Sequence, residues 1–329
     1  MLSQKLNQSV GVVIIGRNEG ERFKSCLRSV LAIANQVIYV DSGSTDDSVE
    51  FARAQGCHTL QLDMQVPFTA ARARNSGFRR LFELYPQLEY IQFLDGDCDL
   101  DPNWLKTALG FMAKNTDCAV VCGRRCEKFP DASIYNKLCD IEWDTPVGEA
   151  DACGGDALFR TPDLIDSGGY RDAQIAGEEP ELCYRLRTGG RKIYRLEHDM
   201  TYHDAAMHSF KQWAKRSQRA GFAYASVFWL HGRTGPEYFW KKDTLSIIAW
   251  AIVLPLLIFT LVLFNPIPYL LIAIYPLQIV RLALTSALTS PTNWQWAGYI
   301  VLGKFFQAVG VIQFFMTMNH KQHLLIEYK

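Results

Sequence analysis

"QVIYVDSGSTDDSVEFARAQG", Gln36 to Gly56, reads as one complete structural unit. Val37 to Val40 is an apolar run rich in β-formers. A Ser/Gly/Thr/Asp cluster then breaks the chain, and a helix starts near Asp46, with Ser44 or Thr45 placed to cap it. The same unit comes just before. "VGVVII", Val10 to Ile15, ends at Gly16, and "EGERFKSCLRSVLAIA" places Phe23, Leu27, Val30 and Leu31 at helical spacing. It comes again afterwards. "HTLQLD" is a third short strand, "FTAARARNSGFRRLFELY" a helix and "EYIQFLD" a fourth strand. Strands alternating with helices at this interval predict βαβ units, an α/β fold and a mostly parallel, Rossmann-like sheet. Ligands of such sheets sit outside the carboxyl ends of the strands. Here those ends carry "GRNE", "DSGSTDD" and "DGDCD".

The last of these, "FLDGDCDL", Phe93 to Leu100, sets Asp95, Asp97 and Asp99 two residues apart. If the strand continued, all three would share a face. Like charges so placed repel, and ionised carboxylates are costly to desolvate. A divalent cation with oxygen ligands relieves both costs; a solvated acidic loop is the alternative. A second acidic cluster, "GEEPEL", Gly177 to Leu182, opens a helix with Pro180 near its start and Gly189 past its end. Arg185, four residues after Glu181, is expected to pair with it within the helix.

Other classes lack their signatures. No G-x-G-x-x-G follows the first strand and no G-x-x-x-x-G-K-[ST] occurs, so a dinucleotide dehydrogenase or P-loop enzyme is missing its phosphate cradle. The 34 basic and 34 acidic residues cancel, which leaves no electrostatic case for nucleic acid as a partner. "CAVVCGRRC" spaces Cys118, Cys122 and Cys126 by four on an apparent strand, which is not a zinc spacing. The polar start "MLSQKLNQSV" reads as no secretory signal, so the nine cysteines are expected as cytoplasmic thiols.

Charge is unevenly placed. From Thr244 to Asn319 the only charged residues are Arg281 and Lys304. "TLSIIAWAIVLPLLIFTLVLF", residues 244–264, is long enough to span a bilayer, with Pro255 a point of kinking. Residues 267–288 form a second span after the "NPIP" turn. Lys241 and Lys242 precede the first span, so the positive-inside bias predicts a cytoplasmic catalytic domain on a multi-pass inner-membrane protein. Residues 296–318 are a third apolar segment, either interfacial or spanning. Its Gly303, Lys304, Gln307, Gly310, Gln313 and Thr317 fall on one half of the helical wheel, which favours the interface. The expected division is a catalytic domain over 1–240 and a membrane domain over 241–329.

The order "VVIIGRNE", "VDSGSTDDS", "AARARNSG", "FLDGDCDLDPNWL" and "GEEPELCYRLRTGG" resembles the family 2 glycosyltransferases of the GT-A fold, of the membrane-anchored bacterial exopolysaccharide type. The resemblance covers residues 10–221. It implies a nucleotide-diphosphate sugar donor, a UDP-sugar foremost, with Mn²⁺ or Mg²⁺, and inversion at the anomeric carbon. Glu19 and Asp41 would then hold the nucleoside, and Arg74 the base or diphosphate. Asp95 would lie near ribose and metal, and Asp97 would ligate the metal directly, with Asp99 outside and solvated. His203, in "TYHDAAMHSFKQWAKRSQRAG", matches a metal-ligand position, and Arg216 and Arg219 would reach the diphosphate. "CGGDALFR" would shape the acceptor pocket. Glu179 occupies the position of the family's catalytic aspartate and Glu178 stands beside it, so the base is one of these two. The family's Q-x-x-R-W motif of processive polymerases is absent, which implies addition of one sugar to a lipid-linked or glycan acceptor. The alternative is a catalytically silent scaffold subunit of a polysaccharide assembly complex; loss of either acidic cluster would have favoured it.

Overall fold

A computed structural model describes residues 9–233, 239–286 and 290–318 of the chain. It divides into two compact units, 1–208 and 209–329, so the expected boundary near 240 lies inside the second.

The first unit is built on a mixed sheet. β1 (Val10–Gly16), β2 (Gln36–Asp41), β3 (His58–Gln61) and β4 (Tyr90–Asp95) are joined through helices α1 (Glu21–Leu31), α2 (Ser48–Ala54) and α3 (Ala70–Leu84). β1 pairs with β2 and with β4, and β2 with β3, all parallel. Every residue of β2 is buried and only Gly16 of β1 is not, as the near-continuous apolar runs require for a doubly covered sheet. β5 (Cys98–Leu100), α4 (Trp104–Lys114), β6 (Cys118–Glu127), α5 (Ile134–Trp143), β7 (Gly148–Glu149), β8 (Ala157–Arg160), α6 (Thr161–Asp166), α7 (Glu178–Thr188) and β9 (Lys192–His203) complete the unit. The strand order is β3-β2-β1-β4-β8-β6-β9-β5, with β7 on β9. The order reverses between β1 and β4, so their carboxyl ends flank the crevice where such folds bind ligands. Helix α3 lies close against the sheet because Gly77 has no Cβ; one there would stand 2.5 Å from a Val13 methyl.

Two local expectations are corrected. Ser44 and Thr45 do not cap α2. Ser44 Oγ accepts from Asn18 N at 3.0 Å and Thr45 N donates to Asn18 Oδ1 at 2.7 Å, while Asp46 accepts from Gly20 N at 3.0 Å. The loops after β1 and β2 are thus tied to each other. The strand before Asp95 does not continue either. Gly96 and Asp97 form a turn, so Asp95, Asp97 and Asp99 do not share a face.

In the second unit, α8 (Phe210–Val227) is followed, among the described residues, by three helices long and apolar enough to cross a membrane: α9 (Lys241–Val262), α10 (Ile267–Thr285) and α11 (Ser290–Thr317). Pro255 does not break α9. A π-helical turn over Ala249–Val253 precedes it and absorbs the missing donor. Helices α8 and α11 pack tightly. A Cβ at Gly221 would overlap the Gln307 carbonyl, and one at Gly310 the Gln218 carbonyl. Gln218 donates to Gln313 at 2.8 Å, and Trp213 meets Phe306 as Phe222 meets Phe314. The polar half of α11 therefore faces α8 rather than water. Phe305, Val309, Ile312 and Met316 on the other half are exposed.

Candidate active site

Arg74 is the centre of the arrangement at the carboxyl edge. It projects from α3, whose start Thr69 caps by accepting from Arg72 N. Its buried guanidinium contacts Asp95 Oδ1 at 2.8 Å, Glu179 Oε1 at 2.8 Å and Glu178 Oε1 at 3.1 Å. It also lies over the Tyr170 ring at 5.6 Å. Although burial opposes its charge, these carboxylates, Glu179 first, hold its proton more firmly than usual. The two acidic clusters of the sequence, some eighty residues apart, thus meet on one arginine.

The clamp has a second cation. Arg125, on β6, reaches Asp95 Oδ2 at 3.2 Å and the fully buried Asp156 at 2.7 Å. Asp156 in turn accepts from Asp95 N at 2.9 Å and from Thr201 Oγ1 at 2.9 Å. Gly155 makes the approach possible: a Cβ there would stand 2.5 Å from an Arg74 nitrogen and 2.7 Å from Asp95 Oδ2. A Cβ at Gly154, by contrast, would meet no described atom within 4 Å. Both oxygens of Asp95 are therefore in ion pairs.

Asp97 belongs to a different group. Its Oδ2 is 3.2 Å from His203 Nε2, and Asp97, Cys98 and His203 place one potential ligand atom each within 4.8 Å of one another, all three buried. Burial pushes the Cys98 thiol well up, so it remains protonated. Burial also lowers the His203 imidazole, leaving it neutral and able to offer a lone pair. Asp95, grouped with the metal in the sequence reading, stands outside this set. Asp99 is paired, not free in solvent: Lys128 meets it at 2.7 Å and Ser25 donates to it at 2.9 Å.

Glu178 and Glu179 occupy the first turn of α7, after Gly177 in the left-handed region. Glu179 is raised from the usual carboxylate range to about 7, by burial first and then by the charge of Glu178, with Arg74 opposing. Glu181, fully buried, pairs with Arg171 at 2.5 Å and with Arg185 at 2.8 Å, the intrahelical pair expected from their spacing.

The remaining residues fall as follows. Asp41 is buried and accepts from Tyr39 Oη, Gly43 N and Ser44 N at 3.1 to 3.2 Å, shaping the loop after β2. Glu19 pairs with Arg22 at 2.7 Å. Arg216 and Arg219 belong to α8 of the second unit. Arg125, Asp156 and Trp143 escaped the sequence reading. Trp143, ending α5, packs its ring at 4.6 Å and 86° on His203 and lies under Arg125 at 5.5 Å. The "GGD" of residues 154–156 was the one available signal, an acid after paired glycines.

The mostly parallel mixed sheet with its helices, and acidic clusters at the carboxyl edge, is the GT-A architecture. Residues 11–150 match the model of the family described as glycosyl transferase family 2. Glycosyltransferase AglE of Haloferax volcanii is 23% identical over 234 residues, covering 67% of this chain and 74% of that protein. The uncharacterized glycosyltransferase YibD of Escherichia coli is 30% identical over 105 residues, covering 30% of this chain and 29% of that one. The mannosyltransferase PcManGT of Pyrobaculum calidifontis, solved with GDP-Man and Mn²⁺, superposes with a TM-score of 0.64 at 17% identity, covering 92% of this chain and 87% of that one. The chain thus resembles family 2 glycosyltransferases over residues 11–150 and shares the fold of a solved mannosyltransferase.

Proposed function

We propose that this glycosyltransferase moves one sugar, with inversion, from a nucleotide-diphosphate sugar to a lipid-linked or polysaccharide acceptor at the cytoplasmic face of the inner membrane. The observation that carries the reading is Arg74, which joins Asp95 on the donor side to Glu179 on the acceptor side. A direct displacement needs a base on the face opposite the leaving group. Glu179, at about 7, is matched to that task near neutral pH. The acceptor hydroxyl attacks the anomeric carbon and gives its proton to Glu179. The bond to the diphosphate oxygen breaks, and the nucleoside diphosphate departs with the electron pair. Asp95, held by Arg74 and Arg125, orients the donor, and Asp41 and Glu19 lie at the nucleoside end of the same edge.

Asp97 and His203 would hold a divalent ion: a carboxylate oxygen and a neutral imidazole suit Mn²⁺, and Mg²⁺ tolerably. When bound, such an ion supplies neutralisation of the leaving diphosphate. PcManGT, with its GDP-Man and Mn²⁺, lends this reading support on fold alone. Incubating the purified chain with a panel of nucleotide sugars and Mn²⁺, and measuring nucleotide release, is the test. A UDP-sugar is the expected donor, and no release from any member overturns the reading.

For the membrane unit we propose two spans, α9 and α10, with α11 at the interface. The contacts of α11 run along residues 213–222 of α8, a stretch that carries Lys215, Arg216 and Arg219. Three cations beside α11 favour the headgroup level over the hydrocarbon core. This puts Lys329, which lies outside the described residues, on the cytoplasmic side. A cysteine placed there should resist a membrane-impermeant thiol reagent in intact cells. Labelling from outside would mean three spans.

A further inference from the structure

Glu127 ends β6 as a carboxylate with 5% of its surface exposed, and the chemistry above gives it no task. Its partners fix it firmly. Oε1 accepts from Phe129 N at 3.0 Å and from Asn136 Nδ2 at 3.1 Å; Oε2 accepts from Ala205 N at 3.0 Å. Asn136 is itself buried and locked, accepting from Met207 N at 3.0 Å and donating to Phe129 O at 3.1 Å. The remaining lone pair of Oε2 faces the imidazole of His203, 3.8 Å from Nδ1. That nitrogen is buried and has no hydrogen-bond partner among the described residues. The opposite nitrogen, Nε2, stands 3.2 Å from Asp97. Trp143 holds the plane of the ring by its perpendicular contact.

A neutral imidazole carries one proton and here lies between two carboxylates. Without a cation the shorter contact wins, and Nε2–H donates to Asp97. A cation between Asp97 and Nε2 needs lone pairs from both, so the proton must then sit on Nδ1. In a buried site an Nδ1–H without an acceptor is costly. Glu127 Oε2 faces Nδ1, and a shift of roughly 0.6 Å brings the pair within hydrogen-bond range. We propose that Glu127 is the positioning residue that sets the Nδ1–H tautomer of His203 and so makes its Nε2 a metal ligand. This rests on the reading of Asp97 and His203 as a metal site. Glu127 never touches the ion; it acts through the imidazole, as carboxylates behind metal-bound histidines do.

The test is Mn²⁺ alone, titrated onto the full-length protein in detergent and followed by the electron paramagnetic resonance signal of the free ion. Wild type, His203→Ala, Glu127→Gln and the double variant form a cycle. Wild type should bind one Mn²⁺, and His203→Ala should bind it more weakly. Glu127→Gln should weaken binding about 10- to 100-fold, but by less than about twofold when His203 is already alanine, because a tautomer cannot matter to an absent ring. A glutamine cannot satisfy all three donors around Glu127. If that variant does not fold, Glu127→Asp, which keeps the charge but draws back from Nδ1, takes its place in the cycle. Loss of Mn²⁺ in His203→Ala with wild-type affinity in the Glu127 variant would leave the metal site standing and overturn the positioning role. Equal weakening in both backgrounds would make Glu127 merely structural and overturn it too. Unchanged binding in His203→Ala would mean that the metal reading itself is wrong.

Discussion

The triplets Asp95–Asp97–Asp99 and Glu178–Glu179–Glu181 pose the same electrostatic problem and solve it differently. In the first, the turn at Gly96 points the three carboxylates apart, and each meets its own partner. Asp95 has Arg74 and Arg125, Asp97 faces His203, and Asp99 has Lys128. In the second, one helical turn keeps the acids together. Glu181 takes Arg171 and Arg185 for itself. Glu178 and Glu179 are left to share Arg74, which already holds Asp95. One guanidinium cannot balance three carboxylates in a site shielded from water. The surplus charge is removed by protonation, and Glu179 rises to about 7. The acids with partners of their own position the structure. The one left short is the one that can exchange a proton at neutral pH.

The comparison breaks first at Asp97. Asp97→Asn should abolish transfer and weaken metal-dependent nucleotide binding, with the fold intact by circular dichroism. Near-native turnover would remove the metal from the mechanism. Next comes Glu179→Gln, which should lose about 10² to 10⁴ in transfer rate while donor binding, measured by calorimetry, persists. The same change tests the charge surplus through stability. The folded-state value of about 7 lies above the usual 4.5, so the folded state binds more protons across that interval. Stability should therefore fall as pH rises from about 4.5 to 7, by at most roughly 3 to 4 kcal/mol. Glu179→Gln should flatten that fall, which denaturant titrations at pH 5 and pH 8 can measure.

A sharper version uses the neighbour. Glu178→Gln removes the charge that raises Glu179 and leaves it a larger share of Arg74, and both changes lower its value. The acid limb of kcat/KM, near pH 7 in the wild type, should move to lower pH. The cost at pH 8 should stay below about tenfold, since the base is untouched. An unmoved limb would detach it from Glu179. If Glu178→Gln is the dead variant and Glu179→Gln the active one, the two glutamates exchange roles.

The sheet was legible because buried parallel strands are near-continuous apolar runs, as Val10–Ile15 and Val37–Val40 are, and the breaks after them were polar enough to mark the carboxyl edge. The acidic clusters were legible for their unusual local density. What joins them was not. Arg74 meets Glu178 across 104 positions, and nothing local says that a helix start will return to that arginine. Arg125 was hidden beside Arg124, and nothing local tells the two apart, yet Arg124 pairs with Asp140 while Arg125 turns into the site. Periodicity also misled in one place. The polar half of α11 predicted contact with water, but small and polar residues serve equally for close helix packing, and Gly303, Gly310 and Gln313 lie along α8.

The smallest expected effect is at Asp99, and it separates local density from chemistry. Asp99 lies in the same short acidic run as Asp95 and Asp97, so a reading based on density alone would make it equally important. Its environment says otherwise. Lys128 and Ser25 satisfy one oxygen, and it stands outside the Asp97–Cys98–His203 group. The amide oxygen introduced by Asp99→Asn could still accept from Ser25, so the change loses only a partly exposed ion pair, about 1 kcal/mol or less. Turnover should stay within about twofold and Mn²⁺ affinity should not change, with a small drop in denaturation midpoint as the only consequence. If Asp99→Asn instead weakens Mn²⁺ binding as Asp97→Asn does, the turn at Gly96 must rearrange when the metal arrives. The run would then act as the single acidic face that its spacing first suggested.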